Sequence, residues 1–171
     1  MVWARTKLVL YDNIFEEGER DIAMSYSGKH PEKLYYKLKE IFLDVFNVPR
    51  NKIQEMHYNW EKKGDSDSID VRWRVVKDMD MYSFLRFDIS FKVKSTAGEG
   101  TASIRLKPRF VTEYPQDTLI QQSIFYEMAR RFWHNTFYQK QRLKWFHLGK
   151  ELSARFDDDV KQYMDGLRQH G

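Results

Sequence analysis

The chain has 171 residues, of which 42% are hydrophobic and 32% are charged, and its formal net charge is +4. These values are typical of one folded domain with its own hydrophobic core, and they disfavour a disordered or membrane-spanning chain. We find no apolar run as long as a membrane span and no signal-peptide pattern, so we expect a cytoplasmic protein. The absence of cysteine excludes disulfides, thiol nucleophiles and thiolate metal sites.

The first 50 residues predict two strands followed by a helix. Lys7–Phe15 and Glu19–Tyr26 have the pattern of two strands around a turn. A helix is expected from Pro31 to about Asn47, because proline suits a first helical position and Pro49 disfavours continuation. The residues that repeat at helical spacing and define its apolar face are Leu34, Leu38, Ile41, Phe42, Val45 and Phe46.

The hydrophobic period changes to two between Ile53 and Val111, which predicts an antiparallel meander of four or more strands. The side chains expected on its buried face are Met56, Tyr58, Trp60, Ile69, Val71, Trp73, Val75, Leu85, Phe87, Ile89, Phe91, Val93, Ile104, Leu106, Pro108 and Phe110. Pro108 cannot donate to a ladder, so we expect the last strand to lie at an edge or to break there.

The opposite face of the meander carries many cations, and strand register decides which of them are neutralised. A register with Trp73 opposite Phe87, and Phe87 opposite Phe110, keeps all apolar residues on one face. The row across the outer face would then be His57, Arg72, Asp88 and Arg109. Asp88 would pair with two arginines, so the middle of the face favours a structural interpretation.

One corner of the same face has no acid opposite its cations in that register. The cations of this corner are Lys92, Lys94, Arg105 and Lys107. Because clustered cations without carboxylates attract phosphates and other anions, we predict a candidate anion-binding site there.

The C-terminal third is predicted to be helical through most of residues 117–166. Its two apolar stripes are Ile120, Ile124, Met128 and Phe132, and then Leu152, Phe156, Val160, Met164 and Leu167. An unbroken helix from Asp117 to Leu167 would be roughly 75 Å long. A compact domain of this length has a radius of gyration of only roughly 15 Å. We therefore expect an α+β fold in which the meander packs on a long C-terminal helix that breaks, plausibly at Gly149, or projects into a partner.

Residues 129–150, which we name the aromatic-basic segment, contain six basic residues, six aromatics and no acid. Trp133 and Phe137 lie off the apolar stripe of the helix, and aromatic residues with arginine are the types that dominate binding hot spots. The residues predicted to bind a partner are Arg130, Arg131, Trp133, Phe137, Lys140 and Lys144. The structural alternative is that both rings pack under the hairpin of the two N-terminal strands, which would leave the cations on an ordinary solvated face.

The order of these elements resembles the helix-grip architecture of START and Bet v 1-like ligand-binding proteins. In those proteins a curved antiparallel sheet wraps the last helix and leaves a cavity for an apolar ligand. The resemblance covers most of the chain as an order of strands and helices, without a family motif. This chain departs from it in having two strands before the first helix and one helix in place of a pair. The resemblance implies a carrier of a lipophilic small molecule.

Catalytic and metal-binding signals are weak. The five histidines form no pair with ligand spacing and a nearby acid. Asp157, Asp158 and Asp159 occupy consecutive helical positions, which point in different directions and cannot converge on one ion. We therefore expect no cofactor and no metal, and an enzymatic activity is not supported.

Three function classes remain, in this order. The first is a non-enzymatic interaction module that docks a protein or ribonucleoprotein through the aromatic-basic segment. The second is the helix-grip carrier of a lipophilic small molecule. The third is a direct binder of RNA or single-stranded nucleic acid, in which rings stack on bases and cations hold phosphates.

Overall fold

The computed structural model describes residues 7–15, 21–115 and 138–170, together with Tyr126, Met128 and Phe132. The elements are β1 (Lys7–Asn13), β2 (Ile22–Lys29), α1 (Lys33–Phe46), a 3-10 turn (Arg50–Lys52), β3 (Ile53–Lys63), β4 (Ser66–Asp78), β5 (Ser83–Thr96), β6 (Glu99–Pro115) and α2 (Gln139–His170). The strands form one antiparallel sheet in the order β1-β6-β5-β4-β3, and β2 also pairs with β6. The α+β class, the meander and the single earlier helix are therefore confirmed.

The two N-terminal strands do not pair with each other, which corrects the prediction of two strands around a turn. Both run antiparallel to β6, and β1 covers residues 109–115 while β2 covers residues 99–106. They are two consecutive pieces of one edge, separated by the segment between Asn13 and Ile22. The 17 residues of β6 explain this arrangement, because neither short strand could satisfy such a long partner alone.

Pro108 lies where this edge is interrupted. The β6 strand continues through it, so the predicted strand break is absent and β6 is an inner strand between β5 and the N-terminal pair. The carbonyl of Pro108 accepts a hydrogen bond from the backbone N–H of Ile14. The N and O of a strand residue point to the same side, so the missing donor of Pro108 faces the gap between β1 and β2. The interruption of the neighbouring strand thus accommodates the proline.

Helix α1 packs one face on the sheet and ends as the sequence predicts. All six residues of the predicted apolar face are buried. Asn47 adopts a left-handed conformation with φ of 46° and terminates the helix before Pro49. The ammonium of Lys77, on β4, donates to the main-chain carbonyls of Phe46 at 2.9 Å and Asn47 at 3.3 Å. A cation from the sheet therefore satisfies carbonyls that the helix end would leave unpaired.

Stacked aromatic rings fill the space between the helices and the sheet. The ring centroids of Phe46 and Phe87 are 4.2 Å apart, and Phe156 of α2 stacks on Phe42 at 6.0 Å and on Phe46 at 5.7 Å. Trp73 and Phe87 are buried, as predicted. From the sequence, the first C-terminal stripe of Ile120, Ile124 and Met128 was expected to cover these two rings. This is wrong for Met128, which is 65% exposed, and Phe42 and Phe46 of α1 pack on Trp73 and Phe87 instead. The other two residues of that predicted cover, Ile120 and Ile124, lie outside the described residues.

Helix α2 runs without a break through Gly149, so the break predicted there is wrong. A Cβ at Gly149 would lie 2.5 Å from the Cδ1 of Ile14 and 3.0 Å from the Cδ2 of Leu85. The glycine is present because the helix backbone approaches the sheet closely, and not because the helix ends. Beyond it the predicted second stripe is confirmed, since Leu152, Phe156, Val160 and Met164 are all buried.

Strand register differs from the predicted one by two residues. Trp73 lies opposite Ile89, and Phe87 lies opposite Val75 on one side and Pro108 on the other. A shift of two keeps the side chains of β4, β5 and β6 on their predicted faces, so their buried residues were assigned correctly while the rows across the sheet were not. The outer row that contains Asp88 is therefore Gln54, Arg74, Asp88 and Lys107.

A β-bulge in β3 changes the predicted face of this strand. Glu55 pairs with Trp73 and His57 pairs with Arg72, so Met56 is an extra residue without an opposite partner. Met56 is 53% exposed instead of buried. Upstream of the bulge the odd-numbered residues face the helices, which brings the carboxylate of Glu55 under α1.

Candidate anion-binding surface

The outer face of the sheet, which points away from both helices, contains a groove of about 540 Å³. Residues that alternate with the core positions of β4, β5 and β6 point into it. The side chains that line it, which we name the outer groove, are Met56, His57, Arg72, Arg74, Asp88, Ser90, Lys92, Arg105 and Lys107. Five of these nine are cations and one is an acid, so the lining carries a formal charge of four positive units. Such a surface attracts anions.

Asp88, on β5, neutralises the part of the outer groove that contains Arg74. Its carboxylate accepts hydrogen bonds from Arg74 Nε at 2.9 Å and Arg86 Nε at 2.9 Å. Burial alone would raise the pKa of Asp88, but the hydrogen bonds and charges of Arg86 and Arg74 outweigh it and hold the pKa below its usual value. Asp88 thus pairs with two arginines, as predicted, but the shifted register makes them Arg74 and Arg86 instead of Arg72 and Arg109.

The predicted corner of four cations is not free of acids, and that premise of the anion-site prediction is wrong. Lys92 pairs with Asp70 at 3.0 Å, and Lys107 pairs with Asp21 at 3.2 Å. Arg105 lies 4.0 Å from the same Asp21. The acids were missed because the expected register aligned different residues and because β2 was paired with β1 instead of β6. The anion site itself stays a prediction.

Two exposed cations of the outer face, Arg72 and Lys94, have no carboxylate within ion-pair distance among the described residues. Arg72 is exposed in the middle of the outer groove, and Lys94 is exposed beyond Lys92 on β5. Both side chains therefore extend into solvent with their charge uncompensated by a close partner. An anion could pair with them without displacing an existing ion pair, which makes them the most available donors on this face.

The aromatic-basic segment divides into described and undescribed parts. Arg130, Arg131, Trp133 and Phe137 lie outside the described residues. Lys140 and Lys144 are exposed on the first turns of α2. They point away from the sheet, and the outer groove is on the opposite side of the sheet. The structure therefore does not bring these two lysines together with the outer groove.

Two described aromatics of this segment, Tyr138 and Trp145, pack onto the protein. Trp145 stacks on Phe110 with centroids 6.1 Å apart, and Arg142 forms an ion pair with Asp12 of β1. The hydroxyl of Tyr138 donates to Asp80 at 2.8 Å. Burial, together with this carboxylate, raises the pKa of Tyr138 above its usual value. These contacts anchor the start of α2 to the sheet, so these residues are structural.

Three apolar side chains remain exposed near the same helix. Met128 is 65% exposed, Phe132 is 67% exposed, and Leu143 of α2 is 53% exposed. Met128 and Phe132 each have helical backbone. Lys140 and Lys144 flank Leu143. Exposed apolar groups beside cations are typical of a docking surface for another macromolecule.

A polar cluster at the edge of β3 was not predicted from the sequence. Glu55 accepts hydrogen bonds from the indole of Trp73 at 3.1 Å and from the hydroxyl of Tyr35 at 3.5 Å. Lys39 lies 3.4 Å from the same carboxylate and donates to Tyr35 at 2.6 Å. The bulge at Met56 creates this cluster because it turns Glu55 inward. No pattern in the sequence predicts that bulge.

No metal site is present among the described residues. Asp157 pairs with Lys161 at 2.6 Å along the helix, as expected for a solvated acidic turn. His57 is exposed on β3. Neither feature supplies the converging ligands that a metal ion requires.

The described residues thus define an α+β domain with a basic groove on the outer face of its sheet. No known family model matches this chain, and no curated protein is significantly similar to it. One solved structure, of an uncharacterised protein from Rhizobium leguminosarum, aligns at 8% identity over 90% of this chain and 99% of its own, with a TM-score of 0.20. A TM-score this low does not indicate a shared fold. In the described part of the chain, no helix is long and apolar enough to cross a membrane.

Proposed function

We propose that this protein is a non-enzymatic binding module whose outer groove holds the phosphodiester backbone of a nucleic acid. The observation that carries the proposal is the charge of the groove, in which five cations and one acid converge on about 540 Å³. Phosphates would bind there through charge-assisted hydrogen bonds from arginine and lysine. Arg72 is the central donor, because it is exposed and has no carboxylate partner among the described residues.

The composition of the groove supports contacts to phosphates instead of bases. Its lining side chains are those of arginine, lysine, histidine, aspartate, serine and methionine, and the small imidazole of His57 is the one ring among them on which a base could stack. The side chains of Trp73 and Ile89 are buried on the opposite face, so only their main chain reaches the groove. Phosphate contacts fix the position of a nucleic acid without reading its sequence. Binding is therefore proposed to be independent of sequence and strongly dependent on salt.

The experiment measures binding of a labelled oligouridylate by fluorescence anisotropy. Arg72→Gln with Arg105→Gln removes two exposed cations from the outer groove. Lys140→Gln with Lys144→Gln removes two exposed cations from α2 and is the matched control, since both pairs change the net charge equally. The proposal requires a loss of affinity in the groove variant and little change in the control. Parallel titrations with oligothymidylate and with an RNA duplex show whether the groove prefers single-stranded RNA, single-stranded DNA or double-stranded RNA.

The second candidate function is docking of a protein or ribonucleoprotein through the aromatic-basic segment. It is supported by the exposed side chain of Leu143 between two exposed lysines, and by the exposed side chains of Met128 and Phe132. In this case the Lys140→Gln, Lys144→Gln control would lose binding to the partner, and the groove variant would keep it. Phe132→Ser with Leu143→Ser should act in the same direction while leaving the melting temperature unchanged.

The carrier function implied by the helix-grip resemblance is the weakest of the three proposals. A carrier needs empty space between the sheet and the last helix. In this protein Phe42, Phe46, Phe87 and Phe156 stack there at centroid distances of 4.2 to 6.3 Å. An apolar ligand would have to displace these rings.

A further inference from the structure

Strand β3 forms one edge of the sheet and pairs only with β4 among the described strands. It is 11 residues long, and all of its side chains are exposed except those of Ile53 and Trp60, which are half-buried. The outward N–H and C=O groups of such an edge can pair with another strand. The question is which strand fits.

Both ends of β3 carry features that oppose an added strand, and its middle does not. The bulge at Met56 and the inward carboxylate of Glu55 disturb the first part of the strand. Lys62 and Lys63 place like charges at its other end. These are the usual protections of sheet edges. Residues 57–61 lie between them and contain neither a bulge nor a lysine.

This middle segment also has an organised aromatic surface on its helix-facing side. Tyr58 lies 6.1 Å from Tyr35, and Trp60 lies 5.7 Å from Tyr35 and 6.4 Å from Tyr36. Although they take part in this cluster, Tyr58 is 50% exposed and Tyr36 is 60% exposed. The rings are therefore held in place and still available to a neighbour, which lowers the entropic cost of association.

We infer that β3 pairs antiparallel with β3 of a second copy of this chain, in a register centred on Asn59. On the outer face this register puts His57 of each copy opposite Glu61 of the other. On the helix-facing side it puts Tyr58 opposite Trp60, also twice. Each contact occurs in both directions, as a two-fold interface requires. Aromatic and charge-complementary pairs are the types that stabilise neighbouring strands.

Registers centred on the residue before or after Asn59 place less compatible residues opposite each other, so we prefer the register centred on Asn59. Opposite residues of antiparallel strands share a face, so the register can shift only in steps that preserve the faces. A register centred on Trp60 places His57 against Lys63, both of them basic. A register centred on Tyr58 brings Glu61 against the segment around the bulge, where Glu55 is also acidic. Of these three registers, only the one centred on Asn59 places Glu61 opposite a basic residue.

The dimer would join the two outer faces into one continuous sheet surface. His57 of β3 lines the outer groove, so the two grooves would approach each other across the new strand pair. This assembly does not depend on the proposed nucleic-acid function, because it requires only β3 and is measured without nucleic acid. The two proposals can therefore fail separately.

The test is sedimentation velocity of the full chain over a range of concentrations, without nucleic acid. Glu61→Lys should raise the dimer dissociation constant by roughly tenfold, since it replaces the carboxylate opposite each His57 by an ammonium group in both symmetric contacts. His57→Glu combined with Glu61→Lys exchanges the charges and should restore the dimer. Glu151→Lys makes the same charge change on an exposed position of α2 and should have no effect. A melting curve of each variant excludes unfolding as the cause.

Restoration by the exchanged pair is the decisive result, because it occurs only if residues 57 and 61 face each other. A monomer at every concentration would overturn the inference. So would a dimer that Glu61→Lys leaves intact, a dimer that Glu151→Lys weakens equally, or a failure of the exchanged pair to restore association.

Discussion

The two faces of the sheet differ in the interactions that their side chains make. On the helix-facing side, Trp73, Phe87 and Phe91 are buried among aromatic rings from α1 and α2. On the outer side, charged residues at alternate positions meet in ion pairs and open a groove to solvent. One face stabilises the fold by removing apolar area from water, and the other contributes little to stability. The outer face is therefore free to serve binding, and substitutions on the two faces should have opposite signatures.

The largest expected effect is on the helix-facing side. Phe87→Ala should lower the free energy of unfolding by about 3–5 kcal/mol, because it removes a fully buried ring that stacks on Phe46. Phe84→Ala, on the outer face of the same strand, is the matched control. Phe84 is half-buried, so its loss should be clearly smaller in urea denaturation. Equal losses for both would mean that the two faces do not differ as described.

A smaller effect is expected from two glycines of α2. Gly166→Ala should stabilise the helix by up to about 1 kcal/mol, since a Cβ there meets no atom within 4 Å. The free energy of unfolding of Gly149→Ala should be about 1–3 kcal/mol lower than that of Gly166→Ala, because the new methyl group would clash with Ile14 and Leu85. Thermal melts of the two variants measure the difference. A Gly149→Ala variant as stable as Gly166→Ala would show that α2 does not pack closely on the sheet.

The next effect concerns Asp88, which links stability and binding on the outer face. Asp88→Asn should cost about 1 kcal/mol at neutral pH, because one charged partner of Arg74 and Arg86 is lost from a half-buried site. The same change removes the acid from the outer groove, so the affinity for oligouridylate should rise. A variant that loses stability and also loses nucleic-acid affinity would contradict the assigned position of the groove.

The contribution of Asp88 to the stability of the fold should depend on pH with a definite sign. Since the folded pKa of Asp88 is below its ordinary value of 3.8, the carboxylate stabilises the fold above that value. This stabilisation is lost as the pH falls through the folded pKa. The difference in stability between the native chain and Asp88→Asn should therefore shrink in acid. A difference that is constant from neutral pH into acid would mean that Asp88 makes no charge-dependent contribution.

The smallest effect on stability should come from the exposed cations. Arg72→Gln with Arg105→Gln should change the free energy of unfolding by no more than about 0.5 kcal/mol, as surface substitutions usually do. Urea denaturation of this variant checks the prediction. A large loss would show that the outer arginines support the fold, and a change in binding could then not be assigned to the groove.

The sequence predicted the faces of the sheet but not its rows. A period of two identifies which side chains are buried, and a register error of two residues leaves that assignment intact. The rows depend on turn geometry and on the bulge at Met56, which the residue pattern does not encode. This is why Asp88 was expected between Arg72 and Arg109 and lies between Arg74 and Arg86 instead.

Two further errors have a common cause in long-range contacts. Gly149 has the local character of a helix breaker, but its role is set by Ile14 and Leu85, which are far away in sequence. The N-terminal strands have the local pattern of a hairpin, but the length of β6 recruits both. Because of this pairing, Asp21 lies beside two cations that had been expected to lack an acid. Local patterns cannot report such contacts.

The central claim is that the outer groove holds phosphates, and the salt dependence of binding tests it most directly. For single strands, the logarithm of the binding constant falls with the logarithm of salt concentration by about 0.7 for each phosphate contact. Arg72→Gln with Arg105→Gln should therefore make the slope for oligouridylate shallower by about 1.4, whereas Lys140→Gln with Lys144→Gln should leave it unchanged. An unchanged slope in the groove variant, or a shallower slope only in the α2 variant, would contradict the claim.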